Sequence, residues 1–353
     1  MGLAKQVRVG SLLLGSGPIY IQSMLNTPAG DHDSAVAQAA ALESAGCHII
    51  RLSIPNRHAV ETIRRLKKSV SMPVVADIHF DYRLALASIE AGADKIRINP
   101  GNIGSEDKIK AVVDACKSRQ IPIRIGVNGG SLERELLAQY GSPTPEALVE
   151  SAMRHIRILE KYRFYDVVVS IKSSNVQTMI SAYRLLAKIC DYPFHLGVTE
   201  AGTREMGMIK NAIGIGSLLA DGIGSTIRVS LTADPLEEVR AGYCILRALG
   251  LVEGACQLIS CPTCGRTKIS VIDLATRIED ALANNRSGLK VAVMGCAVNG
   301  PGEAREADIG VAGGDGEGLI FKKGQIIRKV PEAMLFDALM AEIEEMSKEV
   351  KND

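Results

Sequence analysis

Pro73-Val74-Val75-Ala76-Asp77-Ile78, then a helix-like segment, then Asp94-Lys95-Ile96-Arg97-Ile98-Asn99: this βαβ unit decides the reading of the fold. Each run is apolar and β-branched over most of its length and carries a polar residue at or just past its end. That is the pattern of a strand buried on both faces in a parallel sheet. Working outward, six further runs repeat it, at residues 19–23, 48–53, 122–127, 166–172, 194–199 and 225–230. Helix-like segments such as 34–45 and 175–189 separate them. Eight such repeats predict an α/β fold closed as a (β/α)8 TIM barrel. An open doubly wound sheet also alternates β and α but gathers its ligands near one switch point. Here the polar residues stand at nearly every strand end: Gln22, Arg51, Asp77 with His79, Arg97 with Asn99, Arg124 with Asn128, Lys172 with Ser173, Glu200, and Arg228 with Ser230. A barrel places its chemistry at those ends.

The chain has 353 residues, and a barrel takes about 250 of them. The remainder predicts a second domain, giving 1–250 for the barrel and 251–353 for a smaller α+β unit. In that unit a cysteine-bearing stretch precedes a helix over 271–283, a strand over 290–294, a glycine-rich loop, two short strands around 313–318 and a helix over 331–351. Lys+Arg 41 against Asp+Glu 40 leaves a net charge of +1 with no basic tail, which argues against nucleic acid or a membrane surface as a partner. The N-terminus has no apolar signal core, and no apolar run approaches the ~18 residues that suggest a membrane span. The expected location is therefore cytoplasmic.

Of eight cysteines, Cys47, Cys116, Cys190 and Cys244 sit singly in apolar stretches and read as structural thiols. Cys261-Pro262-Thr263-Cys264 puts two thiols on one turn, and Cys296 supplies a third at the end of a strand. A structural zinc wants four protein ligands, and no histidine follows residue 195. Three soft ligands point instead to an iron-sulfur cluster. Two residues compete for the fourth position. Cys256 completes a C-x4-C-x2-C spacing, while Glu303, in Asn299-Gly300-Pro301-Gly302-Glu303, offers a harder and more exchangeable carboxylate.

Ser260-Cys261-Pro262-Thr263-Cys264-Gly265-Arg266 and Met294-Gly295-Cys296-Ala297-Val298-Asn299-Gly300-Pro301-Gly302-Glu303 resemble the (E)-4-hydroxy-3-methylbut-2-enyl diphosphate synthase family. The likeness continues through Lys95-Ile96-Arg97-Ile98-Asn99-Pro100-Gly101-Asn102, Val169-Ser170-Ile171-Lys172-Ser173-Ser174, His195-Leu196-Gly197-Val198-Thr199-Glu200 and Asp221-Gly222-Ile223-Gly224-Ser225-Thr226-Ile227-Arg228-Val229-Ser230. It implies a barrel followed by a [4Fe-4S] domain, and reductive ring opening of 2-C-methyl-D-erythritol 2,4-cyclodiphosphate in isoprenoid biosynthesis. Ferredoxin or flavodoxin is the implied electron donor. The resemblance assigns the cluster to Cys261, Cys264, Cys296 and Glu303, leaving Cys256 structural. It further implies a head-to-tail homodimer in which the site is shared between subunits.

A cyclic diphosphate is held well by several cations, and Arg51, Arg97, Arg124, Lys172 and Arg228 occupy strand ends around one mouth. Asn128, Ser173, Ser230 and the backbone amides of Gly101 and Asn102 are further candidate donors. Glu200 is the candidate general acid, since an oxygen must leave as water; Glu303 is the second catalytic candidate. His79 is weaker, and His195, inside a strand, reads as a core residue. A barrel transferase resembling dihydropteroate synthase with a structural zinc, and a non-catalytic iron-sulfur sensor, are the rival readings. The transferase does not explain Cys296 beside an Asn-Gly-Pro-Gly-Glu loop, and the sensor finds little support in a near-neutral chain with 4% aromatic residues.

Overall fold

The structure is a computed structural model that describes residues 5–296 and 306–350. The chain divides after Leu249 into two compact units, Met1–Leu249 and Gly250–Asp353.

The first unit opens with a hairpin, β1 (Val7–Val9) and β2 (Leu12–Leu14). Then follow β3 (Tyr20–Met24), α1 (His32–Ser44), β4 (Ile49–Ser53), α2 (Val60–Ser69), β5 (Val74–Asp77), α3 (Tyr82–Glu90), β6 (Lys95–Ile98), α4 (Pro100–Ile103), α5 (Glu106–Arg119) and β7 (Ile123–Asn128). After an excursion through α6 (Arg134–Tyr140) come α7 (Pro145–Lys161), β8 (Val167–Lys172), α8 (Val176–Leu186), β9 (His195–Leu196), α9 (Arg204–Ala220), β10 (Thr226–Ile227) and α10 (Pro235–Ala248). Eight parallel strands run in the order β8-β7-β6-β5-β4-β3-β10-β9. A parallel bridge from Val169 to Phe194 joins the two ends, so the sheet is a nearly closed TIM-like barrel.

The alternation of side chains along each strand sets what the barrel encloses. On β3, Ile21 packs against Gly242 of α10 and so faces outward, which turns Gln22 inward. Following the registers round the sheet puts Arg51, Asp77, Lys95, Arg97, Arg124, Ser170, Lys172 and His195 on the inward side, all of them buried. Most barrels fill this space with branched aliphatic residues; this one fills it with charge. The aliphatic layer is confined to the N-terminal end of the strands, where Val7, Val9 and Leu14 of the hairpin pack on Val168 and Tyr20.

All eight predicted strands are present, the last two cut to two residues each. Glycine bears on both stretches: Gly197 interrupts the seventh, and Gly224, at φ 126°, precedes the eighth. The N-terminal hairpin was not expected from the sequence.

The second unit is a five-stranded mixed sheet, ordered β11 (Gln257–Ser260), β12 (Lys290–Met294), β13 (Ile309–Gly313), β14 (Glu317–Lys322) and β15 (Gln325–Pro331). The first three strands are parallel and the last two antiparallel. Two helices cover one face, α11 (Val271–Leu282) and α12 (Leu335–Val350). Val271, Leu274, Ile278 and Leu282 recur at helical spacing and pack with Val291, Val293, Ile309 and Val311. The expectation of a helix from residue 331 is corrected: Pro331 is the last residue of β15, an edge strand where a missing N–H is tolerated, and the helix starts at Leu335.

Candidate functional site

In the barrel, two arginines share one acid. Arg51 Nη2 donates to Asp77 Oδ2, and Arg97 Nη1 donates to Asp77 Oδ1 at 3.2 Å. Burial alone would raise the Asp77 pKa, but the two guanidinium groups hold it well below the usual carboxylate range. His79 Nε2 lies 3.8 Å from the same carboxylate. Arg97 Nη2 also donates to the Gly126 carbonyl at 3.2 Å. A Cβ at Gly126 would come within 2.5 Å of Arg97 Nε, so glycine inside β7 makes the room that this side chain occupies. Asn128, with its amide oxygen turned toward Arg97, accepts from Nη2 at 3.2 Å.

Lys172 crosses a second glycine: its Nζ would stand 3.1 Å from a Cβ placed on Gly197. Among the described residues it forms no ion pair. Burial first, then Arg228, Arg124, Arg51 and Arg97, push its amine well below the ordinary lysine range. That these four arginines act on one amine places the five predicted cations within electrostatic reach of one another.

Arg228 faces an acid that the sequence reading missed. Glu238 on α10 is buried, accepts from the Leu231 N–H at 3.0 Å, and stands 3.6 Å from Arg228 Nε. Burial raises its pKa despite the arginine. Nothing in the sequence marks it, because a Glu in the first turn of a helix ordinarily serves the helix dipole. Asn211, buried on α9, was also missed. It accepts from the Ser230 N–H at 3.4 Å and donates to the Ser230 carbonyl at 3.1 Å, fixing the backbone of that residue.

The Ser173 hydroxyl accepts from the Asn175 N–H at 3.1 Å, which leaves its proton to give. Glu200 is exposed and has φ 52°, a left-handed conformation that costs a non-glycine residue about 1 kcal/mol or more. The amides of Gly101 and Asn102 are already used and are withdrawn as donors. Gly101 N–H donates to Asn99 Oδ1 at 3.1 Å and Asn102 N–H to the Asn99 carbonyl at 2.9 Å, because Asn99 caps α4. His195 is fully buried, with Nδ1 2.8 Å from Thr226 Oγ1.

In the second unit the parallel pairing of β11 with β12 brings two of the cysteines to the same edge. Ser260 pairs with Val293, so Cys261 and Cys296 leave the sheet from adjacent strand ends. The Gly295 N–H donates to Cys261 Sγ at 3.1 Å. Hydrogen bonds from Arg266 lower the Cys264 pKa. Cys256 lies beyond the other end of β11, five residues from Cys261 and about 16 Å along an extended chain, and contacts Ser287 Oγ at 3.2 Å. It is therefore remote from that edge. Among the described residues no three His, Cys, Asp or Glu side chains converge on a single metal ion. Glu303 lies outside the described residues.

A family model for the GcpE TIM-barrel domain matches residues 4–243, and one for the GcpE protein C-terminal domain matches 257–345. A protein of Caldanaerobacter subterraneus subsp. tengcongensis is 59% identical over 98% of both chains. One of Clostridium perfringens is 57% identical over 96% of this chain and 98% of its own. One of Geobacter sulfurreducens is 54% identical over 97% of both. All three are named 4-hydroxy-3-methylbut-2-en-1-yl diphosphate synthase (flavodoxin). Among solved structures, dihydropteroate synthase of Stenotrophomonas maltophilia covers 70% of this chain and 99% of its own at TM-score 0.52 and 14% identity. A 3-dehydroquinate dehydratase of Geobacillus kaustophilus gives 0.51 at 14% identity, with 70% of this chain and 99% of its own covered. These two likenesses show the barrel fold alone. No helix is long and apolar enough to cross a membrane among the described residues.

Proposed function

The chain belongs to the GcpE family, and from that membership we propose that it converts 2-C-methyl-D-erythritol 2,4-cyclodiphosphate to (E)-4-hydroxy-3-methylbut-2-enyl diphosphate with two electrons from flavodoxin or ferredoxin. The observation that carries the substrate assignment is the charge enclosed by the barrel: Arg51, Arg97, Arg124, Lys172 and Arg228 against Asp77 and Glu238. Each charge-assisted hydrogen bond to a phosphate contributes on the order of 1.5–3 kcal/mol. Several together hold the diphosphate while the carbon skeleton stays free to react. Asn128, Ser173 and Ser230 supply neutral donors at the same strand ends. Glu200, exposed and in a left-handed conformation, would give the proton with which the C3 hydroxyl leaves as water, while the ring oxygen stays on the diphosphate.

Cys261, Cys264, Cys296 and Glu303 would hold a [4Fe-4S] cluster. The fit rests on the adjacent strand ends and on the Gly295 N–H directed at Cys261 Sγ. When bound, such a cluster supplies the one-electron transfers that the reaction needs. The exchangeable carboxylate of Glu303 makes that ligand the second catalytic group.

The test is iron and acid-labile sulfide on anaerobically purified protein, followed by reductive turnover of the cyclodiphosphate. About four of each per chain, with turnover, is expected. One zinc with no sulfide would discard the reductase reading and promote the transferase.

The site is further read as shared between the subunits of a homodimer. Mixing Glu200→Gln chains with Cys296→Ala chains should then restore part of the lost activity. No recovery on mixing would place the whole site within one chain.

A further inference from the structure

One basic side chain inside the barrel is not used by the site described above. Lys95 stands on β6 two residues before Arg97, on the same inward register and one step nearer the apolar plug. It is fully covered, and its Nζ has no hydrogen-bond partner. Orphan polar atoms surround this level of the barrel: Arg124 Nε and Nη1, His195 Nε2, and both amide atoms of Gln22. The charged and titratable groups on the inward registers are Tyr20, Arg51, Asp77, Arg97, Arg124, Lys172 and His195, with Arg228 beyond β10. Neither acid of the barrel is available to Lys95, since Asp77 is taken by Arg51 and Arg97 and Glu238 faces Arg228.

An ammonium ion without water or counter-ion is costly, and the buried group sheds its proton instead. Burial first, then Arg124 and Arg51, push the Lys95 amine well below the ordinary lysine range. The two arginines that oppose its charge are two of those assigned to the diphosphate. Neutralising them with an anion removes that opposition and adds an attraction from the same direction.

We propose that Lys95 is a positioning residue linked to substrate binding: uncharged in the free barrel, it takes one proton from solvent as the diphosphate settles on Arg51 and Arg124. The proton forms an N–H bond at Nζ, nothing is oxidised or reduced, and the ammonium then acts on the phosphates from beneath through Arg124. The proposal rests on the substrate reading above. The sign follows from linkage: the amine has a higher pKa in the complex than in the free protein, so protons are taken up between the two values and affinity weakens as pH rises through that window.

The test is calorimetric titration of the full-length protein with the cyclodiphosphate, without reductant, at one pH in buffers of differing ionisation enthalpy. Wild-type protein should take up protons on binding. Lys95→Met should take up about one proton fewer per subunit. Lys95→Arg keeps the charge at all pH values, so it should bind more tightly than Lys95→Met and also lack the uptake. Across the window, log affinity in Lys95→Arg should fall with pH less steeply than in wild type, by up to about tenfold per pH unit. Unchanged uptake in the variants would assign the proton to Lys172 or His195 and overturn the role of Lys95. Absence of uptake in wild type would overturn it without any variant, should the substitutions fail to fold. Failure of wild type to bind the cyclodiphosphate at all would instead overturn the substrate reading, and this proposal with it.

Discussion

Glu200 and Gly126 show how single residues at the barrel mouth trade conformation and space for chemistry. Glu200 holds φ 52° while exposed to solvent. A glycine there would relieve the strain but add back a similar unfolded-state entropy, each about 1 kcal/mol. Glu200→Gly should therefore leave the melting temperature within about 2 °C and remove most turnover. Glu200→Gln, which keeps the backbone cost and removes the proton, should lose turnover equally. Full activity in Glu200→Gln would remove its acid role. At Gly126 the added methyl meets Arg97 Nε at 2.5 Å, and the guanidinium is pinned between Asp77 and the Gly126 carbonyl. Gly126→Ala should displace Arg97 and lower stability by about 1–3 kcal/mol, the usual cost of overpacking. It should also raise the KM for substrate. A variant with wild-type stability and KM would show that Arg97 has room to move.

At the scale of elements, the strands were legible because burial on both faces leaves a β-branched run with a polar end. The cationic mouth followed from those ends. What was not legible came from elements that carry no such mark. The hairpin β1–β2 is only three residues per strand. Glu238 and Asn211 lie on helices, where polar residues are the norm, and only tertiary packing turns them toward Arg228 and Ser230. Gly126 and Gly197 were in principle readable, since glycine inside a strand marks a close approach. In the second unit the C-x-x-C turn and Cys296 were plain, but their common edge required the parallel pairing of β11 with β12. Gly313 on β13 bears on that edge: a Cβ there would lie 2.6 Å from the Gly295 carbonyl. Gly313→Ala should push the β12 end that carries Cys296 out of place and reduce iron and sulfide content by more than half. The affinity of the barrel for the cyclodiphosphate should be unchanged. Full iron and sulfide content in this variant would show that the strand end is not held by that contact.

Over the whole molecule charge cancels to +1, but locally it does not. Four basic side chains assigned to the anion are buried within the barrel, Arg51, Arg97, Arg124 and Lys172, with Arg228 largely covered beside them, against Asp77 and Glu238. The fold therefore carries a repulsion that an anion of the right size would relieve, and anion binding and barrel stability are one equilibrium. A ligand at about one hundred times its Kd adds about 2.7 kcal/mol to the native state. For a unit of this length that corresponds to a rise in melting temperature of about 5–10 °C. Inorganic pyrophosphate near saturation should produce that rise, and sodium chloride of matched ionic strength should not, since screening weakens all exposed charges alike. Lys172→Ala should shrink the pyrophosphate effect by at least half while leaving the response to chloride unchanged. If pyrophosphate does no more than chloride, the buried cations are balanced within the fold and the diphosphate assignment loses its physical basis.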